Sequence, residues 1–98
     1  MRPLSGFDWD EGNRGKCRKH GVSLEEIEAL FSEPLMVRPD PAHSQAETRF
    51  LGVGKNAEGR HIFIAFTIRE RGGKSFIRPI SARYMHQKEV DQYEKANS

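Results

Sequence analysis

The stretch His61-Ile62-Phe63-Ile64-Ala65-Phe66-Thr67-Ile68-Arg69 decides the fold. Its even positions, Ile62, Ile64, Phe66 and Ile68, are all bulky and apolar, whereas the odd positions mix His61, Phe63, Ala65, Thr67 and Arg69. Side chains on a strand alternate between two faces, so this period predicts a β-strand with one face packed on helices and the other facing something wetter. Gly72-Gly73 directly downstream marks a hairpin, and Ser75 to Arg83 reads as the partner strand. Pro79 lies inside that partner. It has no N–H for the ladder, which predicts a bulge, a kink or an edge there.

Upstream, Thr48 to Val53 reads as a strand and Lys55 to Gly59 as the turn leading into His61. Leu35-Met36-Val37 is a brief strand stopped by Pro39 and Pro41, and Asp40 to Ala46 is a polar loop. Ser23-Leu-Glu-Glu26 forms a capping box, after which Leu24, Ile27, Leu30 and Phe31 recur at helical spacing until Glu33-Pro34. Asp10 caps an earlier helix that runs to His20, where Gly21 supplies a left-handed stop. Phe7 and Trp9 flank Asp8 in a first short strand, and a closing helix follows Arg83 to about Lys95, with Val90 and Tyr93 or Glu94 on one stripe. The expected fold is α+β: a short N-terminal strand, two helices, an antiparallel sheet of three to four strands and a C-terminal helix, with the helices over one sheet face.

With 98 residues, positions 1–98 read as a single domain. No apolar run approaches the ~20 residues that span a bilayer, and the first residues, with Asp8 and Asp10, lack the apolar core of a signal peptide. The single Cys17 excludes an internal disulfide and a zinc finger, and suits a reducing cytoplasm. Net charge is only +2, but it is segregated. Arg14, Lys16, Arg18 and Lys19 run without an acid, and Arg60, Arg69, Arg71, Lys74, Arg78 and Arg83 are interrupted only by Glu70. Acids gather in Glu25, Glu26 and Glu28 and in Glu89, Asp91 and Glu94. One face of positive potential, able to attract phosphates, is expected, beside the plainer reading of solvated surface charge.

Phe7-Asp-Trp-Asp10, Lys19-His-Gly-Val22, Asp40-Pro41, Thr48-Arg-Phe50, Gly59-Arg60, Arg78 and Ile80-Ser-Ala-Arg83, in this order, resemble the BrnT toxins from about Gly6 to Glu94. Each piece is weak alone; the ordered set is specific. The resemblance implies a RelE-like fold and a ribonuclease activity that blocks translation. It also implies a BrnA-like antitoxin as partner, and a toxin–antitoxin complex that binds promoter DNA through the antitoxin. Pro79 departs from the β-branched residue of many members, and the Arg14–Lys19 run is unusually basic.

RNA cleavage without a metal uses the 2′-hydroxyl as nucleophile on the adjacent phosphate. The enzyme orients the attack, moves two protons and stabilises charge on phosphorus. Arginine suits the last task through its two-pronged, permanently charged fork, and no carboxylate cluster of the magnesium-holding kind stands in the sequence. No cofactor is implied. Arg60, Arg69, Arg78 and Arg83 are therefore the candidates for holding phosphates; a bulge at Pro79 turns Arg78 and Arg83 to one groove. Their plainer reading is surface salt bridges.

Lys19 and His20 are the candidate acid and base, against a plain helix-dipole and capping role. His61 is the second such candidate. Thr67 and Ser81 are candidates for hydrogen bonds to RNA, Tyr84 for stacking beside Phe63, and Arg14, Lys16 and Arg18 for a wider RNA contact. Two other readings remain open: a non-catalytic nucleic-acid-binding module, and an inert protein that only binds an antitoxin.

Overall fold

The computed structural model describes residues 4–43 and 47–96. Strands β1 (Leu4–Phe7), β2 (Met36–Pro39), β3 (Arg49–Lys55), β4 (His61–Arg71) and β5 (Lys74–Tyr84) form one sheet in the order β1-β5-β4-β3-β2. Helices α1 (Glu11–Arg18) and α2 (Leu24–Leu30) connect β1 to β2, and α3 (Gln87–Ala96) closes the chain. A single 3-10 turn, Pro41–His43, opens the expected polar loop; its remainder, Ser44 to Ala46, lies outside the described residues. Strands β2 to β5 form the expected antiparallel meander. The N-terminal strand joins it in parallel with β5, so the sheet is mixed and has five strands rather than three to four.

The helix starts follow their side chains. Asp10 and Asn13 cap α1 reciprocally, as Ser23 and Glu26 cap α2, satisfying amide N–H groups that have no partner within a helix. Gly21 adopts φ +86° and turns the chain between the helices. Helix α2 ends at Leu30, ahead of Pro34, because its last turn tightens: Phe31 and Ser32 donate to carbonyls three residues back.

Ile62, Ile64 and Phe66 of β4, with Ile77 and Ala82 of β5, pack against Cys17, Val22, Ile27 and Leu30. Phe31 meets Phe66 edge-on, centroids 5.0 Å apart. On β3 the same face is stripped to Gly52 and Gly54, which admits Leu30 and Leu35; a Cβ at Gly54 would come within 2.8 Å of Leu35 Cδ1 and 2.9 Å of Leu30 Cδ2.

Pro79 produces a bulge. Ala65 opposes Ser81 and Phe66 opposes Pro79, which leaves Ile80 as the extra residue. β1 ends at the level of Ile77, where the Asp8 N–H donates to its carbonyl, and the Pro79 carbonyl accepts from Asn13 Nδ2 at 2.9 Å. Arg78 and Arg83 are an odd number of positions apart, so a regular strand would point them to opposite faces. The extra residue restores them to one face: Arg78 sits opposite Thr67 and Arg83 opposite Phe63.

Two expectations change here. Helices α1 and α2 cover one face of the sheet, but α3 lies on the other, held through Glu89 to Arg83 and through Tyr93 to His61. It buries no residue completely, so its polar anchors rather than an apolar stripe fix its place. The odd face of β4 is also drier than its alternation predicts, with His61, Ala65 and Thr67 only 7, 6 and 2% exposed. Tyr93 covers His61, and the short Ala65 and Thr67 lie between longer side chains of the neighbouring strands. Among the described residues no helix is long and apolar enough to cross a membrane.

Candidate functional site

Directly opposed residues of antiparallel strands share a face, so the register writes out the second sheet face row by row. The first row is Met36, Val53, Phe63 and Arg83. The second is Arg38, Leu51, Ala65 and Ser81, and the third is Arg49, Thr67 and Arg78. Arg69 with Phe76, and Arg71 with Lys74, complete it. A floor of small side chains, Ala65, Thr67 and Ser81, is thus bordered by Arg38, Arg49, Arg69, Arg78 and Arg83 from four strands.

Arg38 and Arg49 were not among the sequence candidates. Their strands are short or interrupted by glycine and proline. One signal was present: Phe50, Gly52 and Gly54 as the core positions of β3 leave Arg49 on the opposite face.

Carboxylates meet Arg69, Arg78 and Arg83. Arg69 lies 3.1 Å from Glu47. Arg83 grips Glu89 with both terminal nitrogens, at 2.7 and 2.8 Å. Arg78 sits between Asp10 at 2.8 Å and Asp8 at 3.5 Å, and Asp8 also holds Arg71 at 3.1 Å. The Arg83 hydrogen bonds, then the His86 amide, pull the Glu89 carboxyl down to about 2. The Asn13 amide, then Arg78, holds Asp10 below the usual carboxylate range.

These pairs differ in consequence. The Arg69 and Arg83 side chains are 39% and 37% exposed, so an incoming anion reaches both; the single Arg69–Glu47 contact contributes little, whereas the two-point Arg83–Glu89 pair is a competitor the anion must displace. Arg78, at 18%, is enclosed by two acids and held in place. The face therefore offers both exchangeable arginines and a fixed one.

The other sequence candidates divide. Ser81 belongs to the floor. Thr67 does too, but its hydroxyl donates to the Thr48 carbonyl at 2.8 Å. His61 is at the end of the face beneath Tyr93; its Nε2 finds no hydrogen-bond acceptor among the described residues, with Glu94 at 3.7 Å. Arg60 and Tyr84 are elsewhere. Tyr84 opposes Ile62 on the helix-covered face, hydrogen-bonds Glu26 at 2.8 Å, and carries the Arg60 guanidinium 3.7 Å above its ring. Arg14, Lys16 and Arg18 are on the solvent side of α1, and Lys19 and His20 follow its last turn, all five exposed in the helical layer. They do not join the arginine face, because α1 packs Asn13 and Cys17 onto the opposite side of the sheet. Among the described residues no three His, Cys, Asp or Glu side chains converge as metal ligands.

A family model for the ribonuclease toxin, BrnT, of type II toxin–antitoxin systems matches residues 9–89. The chain belongs to the BrnT family. No curated protein matches it. As a BrnT toxin it is an endoribonuclease with an antitoxin as its partner. The matched segment contains every arginine of the face and ends at Glu89, so most of α3 lies beyond it.

Proposed function

We propose that this BrnT toxin cuts RNA on the arginine face of its sheet, without a metal ion, and so blocks translation in the cytoplasm. A BrnA-like antitoxin silences it by covering that face, and the complex reaches promoter DNA through the antitoxin. The strand–helix–helix–meander order supports a RelE-like architecture. The observation that carries the reading is the bulge at Ile80, which brings Arg78 and Arg83 to the same face as Arg38, Arg49 and Arg69.

An RNA strand laid across Ala65 and Ser81 exchanges its phosphates for Glu47 and Glu89 on Arg69 and Arg83. Two-point contacts to the phosphate oxygens orient the 2′-hydroxyl for in-line attack and offset the charge that builds on phosphorus. Arg78, fixed by Asp8 and Asp10, orders the face. Proton transfers fall to groups that share it, His61 foremost, while Lys19 and His20 complement the dipole at the end of α1.

Induced expression alone should arrest growth. Arg83→Ala or Arg69→Ala should relieve the arrest in a folded protein and lower cleavage about a hundredfold or more, whereas Arg60→Ala on the opposite face should leave cleavage unchanged. Cleavage should persist in chelator. If Arg60→Ala abolishes cleavage while Arg83→Ala spares it, the wrong face has been chosen.

A further inference from the structure

The arginine face ends in a cavity of about 400 Å³ between the sheet and α3. Leu51, Val53, Phe63, Met85 and Tyr93 line it, together with the polar Arg38, Glu89 and Gln92. We infer that this cavity holds one base of the bound RNA, next to the phosphates gripped by Arg83 and Arg38; the inference rests on the arginine face being the RNA-cleaving surface.

Three observations point to a nucleotide rather than to a generic apolar ligand. The first is the lining. Phe63 and Tyr93 present rings, and methionine adapts to any flat aromatic face, a sequence-tolerant way to hold a base. The second is charge. Arg83 lies 5.0 Å from the Phe63 ring centre, so a group bound by Arg83 is tethered beside the ring. Glu89 now occupies Arg83 with two oxygens on two nitrogens, the geometry in which a phosphate is also held. Arg38, one row along, is exposed and open to a neighbouring phosphate. The third is a polar side chain in the lining. Gln92, itself exposed, carries an amide donor and an acceptor, able to meet the edge of a base whose faces are stacked.

Tyr93 and Gln92 lie beyond the segment matched by the family model. The seat is therefore built partly from residues that the family match does not cover. Tyr84, the aromatic that the sequence pairs with Phe63, cannot serve, because it faces the helices.

The test uses the full chain and a short single-stranded RNA with 2′-O-methyl sugars, which bind but cannot be cut, carrying the fluorescent base 2-aminopurine. Stacking on Phe63 and Tyr93 should quench its fluorescence on binding. Phe63→Leu should abolish the quenching and weaken binding roughly ten- to a hundredfold, with the salt dependence set by the phosphates unchanged. Tyr93→Leu should also reduce quenching, with its fold checked by circular dichroism because Tyr93 packs on His61 and helps hold α3; Gln92→Ala, exposed on the same helix, should weaken binding without touching that contact and covers the case in which the ring variants fail to fold.

Salt-dependent binding with no quenching overturns the base seat and leaves the arginine face standing, as does quenching that survives both ring substitutions. If Phe63→Leu instead weakens only capture by the antitoxin, the cavity belongs to that partner and the inference falls. No RNA binding at all would remove the arginine-face reading together with it.

Discussion

Asn13 links the start of α1 to the bulge, and its replacement tests how the bulge is held. The side chain is 4% exposed and makes three hydrogen bonds. Its Oδ1 accepts from the Asp10 N–H at 2.7 Å, and its Nδ2 donates to the carbonyls of Asp8 and Pro79, both at 2.9 Å. Asn13→Ala removes all three but keeps the Asn13 backbone bond to Asp10 Oδ1. At about 1 kcal/mol per bond, with a further cost for leaving the buried Pro79 carbonyl unpaired, the loss is at least about 3 kcal/mol. Against the 5–15 kcal/mol typical of a domain, and with about 4–8 °C of Tm per kcal/mol at this size, Tm should fall by at least ~12 °C. Asn13→Asp separates the two roles. It keeps an acceptor for the Asp10 amide, so a capping role alone predicts near-wild-type stability; it also sets a carboxylate against two carbonyl oxygens, so a bulge-holding role predicts a loss at least as large as alanine's. Urea unfolding followed by Trp9 fluorescence reads both. A stable Asn13→Asp protein, or an alanine cost below about 1 kcal/mol, would refute the account of how the bulge is secured.

The Arg83–Glu89 pair predicts a pH signature. Glu89 titrates at about 2 in the folded chain against 4.5 ordinarily, a depressed carboxyl, so its contribution to stability is complete above about pH 4.5 and is lost as the pH falls toward 2. Glu89→Gln should flatten the stability profile in that window and, by clearing Arg83, tighten RNA binding at neutral pH; an unchanged acid profile would show that the pair is not formed in solution. Cys17 is fully buried, and burial pushes its thiol up to about 11. A disulfide reagent should therefore label it only as fast as the chain unfolds, and rapid labelling of the native protein would contradict its place in the core.

Much of the fold was legible. The alternation in β4, the glycine pair of the hairpin, the Asp10 cap and the capping box at Ser23 are local signals, each decided by a few adjacent side chains, and each of these elements formed near its predicted place. The side of the sheet taken by α3 was not legible, because its amphipathic stripe is thin and its anchors, Arg83 and His61, come from other elements. The site was half legible. Arg69, Arg78 and Arg83 share the expected face, but Arg60 and Tyr84 belong to the other, and Arg38 and Arg49 join from strands whose period is broken by proline and glycine.

Residue identity and spacing alone determined strands β3 to β5, the helix starts, the cationic character of the C-terminal half and the irregularity at Pro79; the first strand, expected around Phe7 to Trp9, formed instead at Leu4–Phe7, and the second runs through Pro39 rather than stopping before it. What that irregularity does was decided in three dimensions. Whether Arg78 and Arg83 meet depends on which residue of β5 is left unpaired against β4, and that register is set by contacts between distant segments: Asn13 on the Pro79 carbonyl, Asp8 and Asp10 on Arg78. Alternation along one strand says that a side chain points up or down. Only the pairing of strands says which other side chains point the same way.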